Sequence, residues 1–233
     1  IEDGDRLMLI DTGMGNKQDE KFFSFFQPHG DESLQGSLHR AGFGMNDITD
    51  VFLTHLHFDH GGGAVKREQE TLMPAFPNAT YWSHRQHWES ALHPNVREKA
   101  SFLKENILPL QESGQLHLLD SQDGDSFTDY MRIRIVQGHT DYMMLPQIDY
   151  KGKTILYTAD LVPSLPHISL PWVMAYDMRP LDTLREKATL LQEIADVNGL
   201  LFFEHDPRHE LCRLEQTDRG IRSGEVLRLT ELS

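Results

Sequence analysis

The chain has 233 residues, of which 39% are hydrophobic and 25% are charged, so it is long and apolar enough to bury a core. Its 22 basic and 36 acidic side chains give a formal net charge of −14, which disfavours nucleic-acid binding because phosphate contacts need the opposite sign. The one cysteine, Cys212, excludes an internal disulfide and any site built from several thiolates. A metal ion would therefore be held by nitrogen and oxygen.

No apolar run approaches the roughly 20 residues of a membrane span, and no signal-peptide pattern is present. We therefore expect no membrane span and, by default, a cytoplasmic protein. The chain opens on Ile1 in the middle of a strand-like pattern, so we expect an N-terminal segment to be missing. No repeat or low-complexity linker divides residues 1–233, which predicts a single domain. The oligomeric state stays open, and a homodimer is compatible with the sequence.

Short apolar runs alternate with helical patterns along the chain. The predicted strands are residues 5–11, 51–54, 80–83, 115–119, 131–137, 145–149, 154–158 and 200–203. The predicted helices are residues 17–26, 32–41, 85–92, 96–108 and 183–197. Asp182 is expected to cap the last helix, and the sequence Tyr-Lys-Gly-Lys at 150–153 predicts a hairpin turn. This order predicts a layered α/β protein with its sheets in the middle.

The densest polar cluster is THLHFDHGGG, which begins at Thr54 where a predicted strand ends. His55 and His57 lie two apart in an extended segment and can point the same way, whereas Asp59 and His60 follow a bend. The glycines at 61–63 are expected to permit a tight turn. One loop can therefore supply half of each of two neighbouring metal sites.

Three further polar residues each follow a predicted strand directly: His139, Asp160 and His205. A catalytic metal takes about three protein ligands and keeps an open position, so the cluster at 54–63 needs partners from other strand ends. A carboxylate such as Asp160 can bridge two metals about 3.5–4 Å apart with its two oxygens.

The order His55-x-His57-x-Asp59-His60, then His139, Asp160 and His205, resembles the metallo-β-lactamase superfamily. The resemblance covers nearly the whole chain and implies a four-layer αβ/βα sandwich, with two mixed β-sheets flanked by helices and a dinuclear site at one edge. It implies one metal on His55, His57 and His139, a second on Asp59, His60 and His205, Asp160 as the bridge, and Asp11 as the residue that orients a ligand.

A narrower resemblance comes from the sequences DLVPS at 160–164 and LPWVMAYD at 170–177, with FEHD at 203–206. These are similar to the YtnP-type quorum-quenching lactonases, which lie close to the methyl parathion hydrolases. Two departures are present. Pro163 stands where many lactonases of the superfamily carry a tyrosine, and the usual HTxGH segment is HTDYM at 139–143.

The resemblance implies a hydrolase that opens N-acyl homoserine lactones. Two cations would lower the pKa of a bridging water, and the resulting hydroxide would attack the lactone carbonyl. Asp160 would hold both metals, and Asp59 is a candidate for carrying the proton to the leaving group. Zinc is the leading candidate for both metals, while manganese, cobalt and iron suit the same ligands. The same chemistry can cleave a phosphotriester or another ester.

The substrate pocket is predicted to involve Tyr176, Trp172, His167 and Met143. Tyr176 is a candidate to replace the missing tyrosine, and the phenylalanine-rich run at 22–26 reads as helix packing or as an apolar lip near the pocket. Two alternatives to a hydrolase stay open. One is an iron oxidoreductase of the same fold, and the other is a non-catalytic binding protein that has kept the fold.

Overall fold

The computed structural model describes residues 1–232. Its chain divides into two compact units, of which the first is Ile1–Leu119 and the second begins at Asp120. Each unit has its own sheet and its own hydrophobic core.

The first unit contains a five-stranded sheet, a two-stranded hairpin and several helices. Its strands are β1 (Glu2–Asp3), β2 (Arg6–Ile10), β3 (Asp50–Phe52), β4 (Val65–Glu68), β5 (Thr71–Pro74), β6 (Thr80–His84) and β7 (Leu116–Leu119). Its helices are α1 (Glu20–Phe26), α2 (Leu34–Arg40), α3 (Phe58–Gly61), α4 (Arg85–Leu92) and α5 (Lys104–Glu112).

The sheet of the first unit has the order β1-β2-β3-β6-β7, in which β2, β3, β6 and β7 are parallel and β1 is antiparallel. Ile10 pairs with Phe52, and Phe52 with Trp82, so these strands end at one level. The carboxyl ends of parallel strands share one edge, and polar residues that follow β2 and β3 are therefore brought together. The strand residues Val51 and Tyr81 are fully buried in the core of this unit.

The second unit contains a seven-stranded sheet and one long helix. Its strands are β8 (Ser126–Thr128), β9 (Met131–Val136), β10 (Met143–Tyr150), β11 (Lys153–Tyr157), β12 (Leu200–Phe202), β13 (Leu211–Thr217) and β14 (Gly220–Leu227), and its helix is α6 (Pro180–Asp196). Over residues 1–232 there are also three short 3-10 helices, of which Gly62–Ala64 lies in the first unit and Leu165–Ile168 and Leu229–Glu231 lie in the second.

The seven-stranded sheet has the order β14-β13-β12-β11-β10-β9-β8. Only the β11–β12 pair is parallel among its described strands, because the chain crosses over through α6 between them. The apolar side of α6, including Leu190, Leu191 and Ile194, packs on this sheet and forms the second core. The turn at Tyr150–Lys153 forms as predicted, with Lys151 and Gly152 both at positive φ.

The predicted α/β class with two mixed sheets is confirmed, and every predicted strand is present with ends shifted by one or two residues. The prediction missed β1, the β4–β5 hairpin, β8 and the β13–β14 hairpin. Among residues 1–232, no helix combines the length and the hydropathy needed to cross a lipid bilayer.

The helix predicted at 96–108 is wrong, because the helix there is Lys104–Glu112 and contains Pro109. Residues 93–103 form turns instead. The Asn95 side chain accepts hydrogen bonds from the backbone amides of Arg97 and Glu98, and such local bonds compete with a helix. The α6 helix begins earlier than predicted, and Asp182 lies in its first turn rather than at its cap.

None of the glycines at 61–63 has a positive φ, and two of them, Gly62 and Gly63, are needed for close packing rather than for a turn. A Cβ on Gly62 would lie 2.2 Å from the carbonyl oxygen of Met14, and one on Gly63 would lie 2.2 Å from that of Thr12. The loop that follows β2 therefore lies directly against the segment that follows α3.

Gly62→Ala should destabilise the protein by roughly 1–3 kcal/mol, because the new methyl group overlaps a backbone carbonyl that cannot rotate away. Gly61→Ala is the matched control, since its Cβ would meet nothing closer than 3.7 Å. Urea unfolding of both variants measures the difference. Equal midpoints for the two variants would show that the close approach carries no energetic weight.

Candidate metal centre

The motif His55 to His60 lies just past the carboxyl end of β3, at the start of α3. His57 is the N-cap of α3, and Asp59 and His60 belong to its single turn. The three histidines of the motif are buried: the exposed fractions are 0% for His55, 5% for His57 and 0% for His60. Buried imidazoles need hydrogen-bond or metal partners, so this loop is a candidate binding site.

Asp11 anchors the motif from the end of β2. Its carboxylate accepts hydrogen bonds from the amide of Thr54 (2.7 Å) and from the Thr54 hydroxyl (2.6 Å). The same carboxylate lies 3.1 Å from Nδ1 of His60. The structure therefore brings Asp11 against the motif, where it holds the His60 ring so that Nε2 faces away.

His55 and His57 direct ring nitrogens toward each other. The Thr54 hydroxyl donates to Asp11, so its oxygen accepts from Nδ1 of His55 at 3.0 Å. Nε2 of His57 lies 3.0 Å from the buried carboxylate of Glu98 and donates to it. These partners assign the tautomers. Nε2 of His55 and Nδ1 of His57 face each other at 3.1 Å, so the two ring nitrogens are directed to one point.

Asp59 lies beside His60 at the second half of the motif. Its Oδ2 is 3.9 Å from Nε2 of His60, while Nδ1 of the same ring faces Asp11. The loop is also held by Lys17, whose buried ammonium donates to the carbonyl of Gly62. The first unit thus presents two pairs of donor atoms, His55 with His57 and Asp59 with His60.

In the second unit, Asp160 lies between two histidines. Its Oδ2 is 3.0 Å from Nε2 of His139, and its Oδ1 is 3.0 Å from Nε2 of His205. Asp160 follows β11, His139 follows β9, and His205 follows β12, as the sequence predicts. His205 is further fixed by its amide, which donates to the carbonyl of Pro163. Each carboxylate oxygen therefore addresses a different imidazole, which is the arrangement of a bridging ligand.

His139 is held from behind by Asp177, whose Oδ1 lies 3.1 Å from its Nδ1. Burial lowers the pKa of His139, but the hydrogen bonds and charges of Asp160 and Asp177 outweigh burial and raise that pKa to about 9. In the metal-free protein the imidazole therefore carries a proton at neutral pH. A cation that binds at Nε2 must displace that proton.

Several residues beside these ligands adopt left-handed backbone conformations. Asp11 has a φ of 53°, Tyr142 a φ of 52°, and Ala159, which precedes Asp160, a φ of 38°. Such conformations are costly for residues other than glycine and persist where the surroundings enforce them. Tyr142 stands at the glycine position of the usual HTxGH segment, and it takes the conformation that glycine would adopt there.

The donor set fits divalent metals. Two ligands of one tetrahedral zinc ion lie about 3.3 Å apart, as bond lengths near 2.0–2.1 Å require. The facing atoms of His55 and His57 are 3.1 Å apart, and each histidine facing Asp160 is 3.0 Å from it. Neutral imidazole and carboxylate donors suit zinc, manganese, cobalt and iron. Glu98, Asp177 and Asp11 supply the outer hydrogen bonds that metal-binding histidines almost always make.

The predicted pocket residues have varied environments. Tyr176 and Trp172 are 73% and 58% exposed. Nδ1 of His167 lies 2.7 Å from the hydroxyl of Ser164. Met143 is fully buried in the second core, so its side chain offers no surface to a substrate in this structure.

Sequence reasoning missed Glu98 and Asp177 as partners of the histidines. Neither directly follows a strand, so neither shows the strand-end signal that marks the predicted ligands. Their importance appears only when the fold brings them to His57 and His139.

Residues 1–205 match the family described as the metallo-beta-lactamase superfamily. The match covers most of the chain, and the chain therefore belongs to this superfamily. The superfamily predicted from the motif is confirmed.

The curated relatives include the N-acyl homoserine lactonase AiiA of Bacillus thuringiensis subsp. kurstaki. It is 26% identical over 168 residues, which cover 68% of this chain and 51% of the relative. The chain thus spans about half the length of the curated relatives it matches.

Two solved structures resemble the chain along almost its whole length. One is a Staphylococcus aureus protein described as a "probable metal-dependent hydrolase", with a TM-score of 0.83 and 25% identity over 97% of this chain and 79% of that one. The other is AidC, a dizinc quorum-quenching lactonase in complex with a product, with a TM-score of 0.74 and 25% identity over 98% of this chain and 78% of that one.

Asp177→Asn should weaken zinc binding about 10–100-fold near pH 9, because His139 loses the carboxylate that orients it. At pH 7 the loss should be smaller. The proton that competes for His139 has a pKa of about 9, and removing Asp177 lowers that pKa and weakens the competitor. Zinc titrations at the two pH values measure the ratio.

Asp196→Asn is the control, since Asp196 bonds Gln192 near the far end of α6 and should leave zinc affinity unchanged. An Asp177→Asn loss that is equal at pH 7 and pH 9 would contradict the raised pKa of His139.

Proposed function

We propose that the two half-sites combine into one dinuclear metal centre and that the protein is a metal-dependent lactonase. His55, His57 and His139 would hold one ion, Asp59, His60 and His205 would hold the other, and Asp160 would bridge them. The observation that carries this proposal is the close approach of imidazole nitrogens to each other in the first unit, at 3.1 Å, and to the two oxygens of Asp160 in the second, at 3.0 Å. The superfamily match, which runs from residue 1 to residue 205, includes all seven residues.

Two bound divalent cations would supply a nucleophile at neutral pH, by lowering the pKa of water, and positive charge for a developing oxyanion. The side chains of this chain do the rest. Asp11, Glu98 and Asp177 keep three histidines in the tautomer that binds metal. Asp59 is 35% exposed at its side chain, which leaves it accessible for moving a proton to the alkoxide leaving group.

The lactone assignment rests on the relatives and on an aromatic surface beside the motif. Phe22 and Phe26 of α1 contact Phe58, with ring centroids 5.3 and 4.8 Å away. Phe58 lies between His57 and Asp59, and α1 has no fully buried residue. We call Phe22, Phe26 and Phe58 the aromatic cluster. It favours the apolar-lip interpretation over helix packing, because these rings are not enclosed in a core.

An aromatic surface of this kind suits a substrate that joins a hydrolysable ring to an apolar chain. N-acyl homoserine lactones have this form, and they are the substrates named for AiiA. Native zinc is the simplest assignment, as in the dizinc relative AidC.

The test is a metal analysis paired with turnover of three substrate classes by the same zinc-loaded sample. We expect two zinc ions per chain and faster hydrolysis of an acyl homoserine lactone than of an aryl ester or a phosphotriester. Rapid phosphotriester cleavage without lactone opening would replace this assignment with the phosphotriesterase alternative. One iron per chain with oxygen consumption would support the oxidoreductase alternative.

Asp160→Ala should lose both metal and lactonase activity, since it removes the carboxylate that faces His139 and His205. We expect kcat/KM to fall at least a thousandfold, which corresponds to a loss of about 4 kcal/mol of transition-state stabilisation. Metal content and kcat/KM are measured on the same preparation. Full activity in this variant would exclude Asp160 as the bridge.

Phe22→Ser should raise KM for a long-chain acyl lactone about tenfold, which corresponds to about 1.4 kcal/mol of lost apolar contact, with kcat little changed. Phe25→Ser is the matched control, because Phe25 lies on the same helix but is 72% exposed. A short-chain lactone should respond weakly to either change. Equal effects of Phe22→Ser on both chain lengths would remove the aromatic cluster from substrate binding.

A further inference from the structure

A completely buried lysine lies in α6, outside the metal ligands. Lys187 is 0% exposed although it is one of the most hydrophilic residue types. Its ammonium donates to the carbonyls of Ser169 (3.1 Å), Leu170 (3.3 Å) and Trp172 (2.7 Å). A buried ammonium has three hydrogens to place, and these three carbonyls can receive all of them.

The carbonyls belong to residues 169–177, which we call the anchored segment. This segment has no helix or strand of its own, and it carries exposed apolar side chains such as Leu170, Trp172 and Tyr176. Exposed apolar side chains make few contacts with a hydrophobic core, so they do little to hold this loop in place. The order of its backbone therefore depends on polar contacts, of which those to Lys187 hold its first half.

The anchored segment ends at Asp177, the residue that orients His139. Directly after it, the amide of Met178 donates to the carbonyl of His139 at 3.1 Å, and the amide of Arg179 donates to that of Gly138 at 2.8 Å. The position of the anchored segment and the position of the His139 loop are thus joined by backbone hydrogen bonds.

Glu186, the neighbour of Lys187 in α6, holds the segment that leads to His139. Its carboxylate accepts hydrogen bonds from the amides of Gln137 (2.7 Å) and Gly138 (3.0 Å). Gly138 packs so closely on α6 that a Cβ there would lie 2.3 Å from the amide nitrogen of Thr183. Adjacent residues of α6 therefore form hydrogen bonds with both the segment that leads to His139 and the segment that leads to Asp177.

We propose that Lys187 is a positioning residue for the metal centre, which sets Asp177 against His139 by fixing the anchored segment to α6. The proposal rests on the proposed function for its link to metal binding, but the mechanical part stands on the contacts of Lys187 alone. Burial lowers the pKa of Lys187 to about 8 while the charge of Asp177 opposes that shift, so the ammonium remains protonated at neutral pH and keeps its three donors.

The first measurement is amide hydrogen exchange on the metal-free protein. Lys187→Met keeps the length and apolar stem but removes the donors, and we expect at least tenfold faster exchange at Trp172, Asp177 and Met178. Arg185→Met is the matched control, since Arg185 lies on the same helix with a side chain 72% exposed, and its exchange pattern should match that of the wild type. Unchanged exchange in Lys187→Met would overturn the proposal.

The second measurement is zinc affinity of the single variants and of the double variant. If Lys187 acts through Asp177, then Lys187→Met should weaken zinc binding at least tenfold, and adding it to Asp177→Asn should cause little further loss. Fully additive losses would overturn the positioning role. If Lys187→Met does not fold, Lys187→Gln, which keeps part of the donor capacity, is measured in the same way.

The two measurements separate this proposal from the proposed function. If the wild-type protein binds zinc but does not open lactones, the proposed lactonase activity is wrong, and the exchange and zinc-affinity measurements still test the role of Lys187. If the wild-type protein binds no zinc, the proposed metal centre is wrong, and amide hydrogen exchange alone then decides whether Lys187 orders the anchored segment.

Discussion

Imidazole and carboxylate groups held against one another at hydrogen-bond distance are the constraint on which this structure depends. In the first unit, Nε2 of His55 lies 3.1 Å from Nδ1 of His57, while their other ring nitrogens face Thr54 and Glu98. In the second, His139 and His205 each face an oxygen of Asp160 at 3.0 Å. Groups of this kind need a proton or a cation between them, and the buried members have little water to supply it. The raised pKa of His139 is one response, and metal binding is the other.

The rest of each unit maintains that arrangement. The parallel strands β2 and β3 end in register, which delivers Asp11 and Thr54 to one edge. Close backbone packing at Gly62 fixes the path of the loop that follows. In the second unit, α6 supports the segments leading to His139 and Asp177. A metal-free protein would therefore retain most of its ligand geometry, because hydrogen bonds behind the ligands hold it rather than the ion itself.

Much of the site could be predicted from sequence, because its ligands follow apolar strands. Such strands are recognisable from a run of buried residues, and the polar residue after each is equally visible. The supporting residues could not be predicted in this way. Glu98 lies in a stretch whose apolar spacing predicts a helix, but Asn95 bonds to the local backbone and the chain turns instead. The β13–β14 hairpin was also missed, since charged residues interrupt its alternation and much of β14 is exposed. Tertiary contacts decide these features.

The central proposal is that His55, His57, Asp59, His60, His139, Asp160 and His205 would hold one dinuclear centre. Anomalous diffraction at the zinc absorption edge, on crystals of the zinc-loaded protein, tests it most directly. The account predicts two anomalous peaks per chain about 3.5–4 Å apart, with Asp160 in contact with both. Two peaks that shared no ligand, or one peak bound by residues of a single unit, would contradict it.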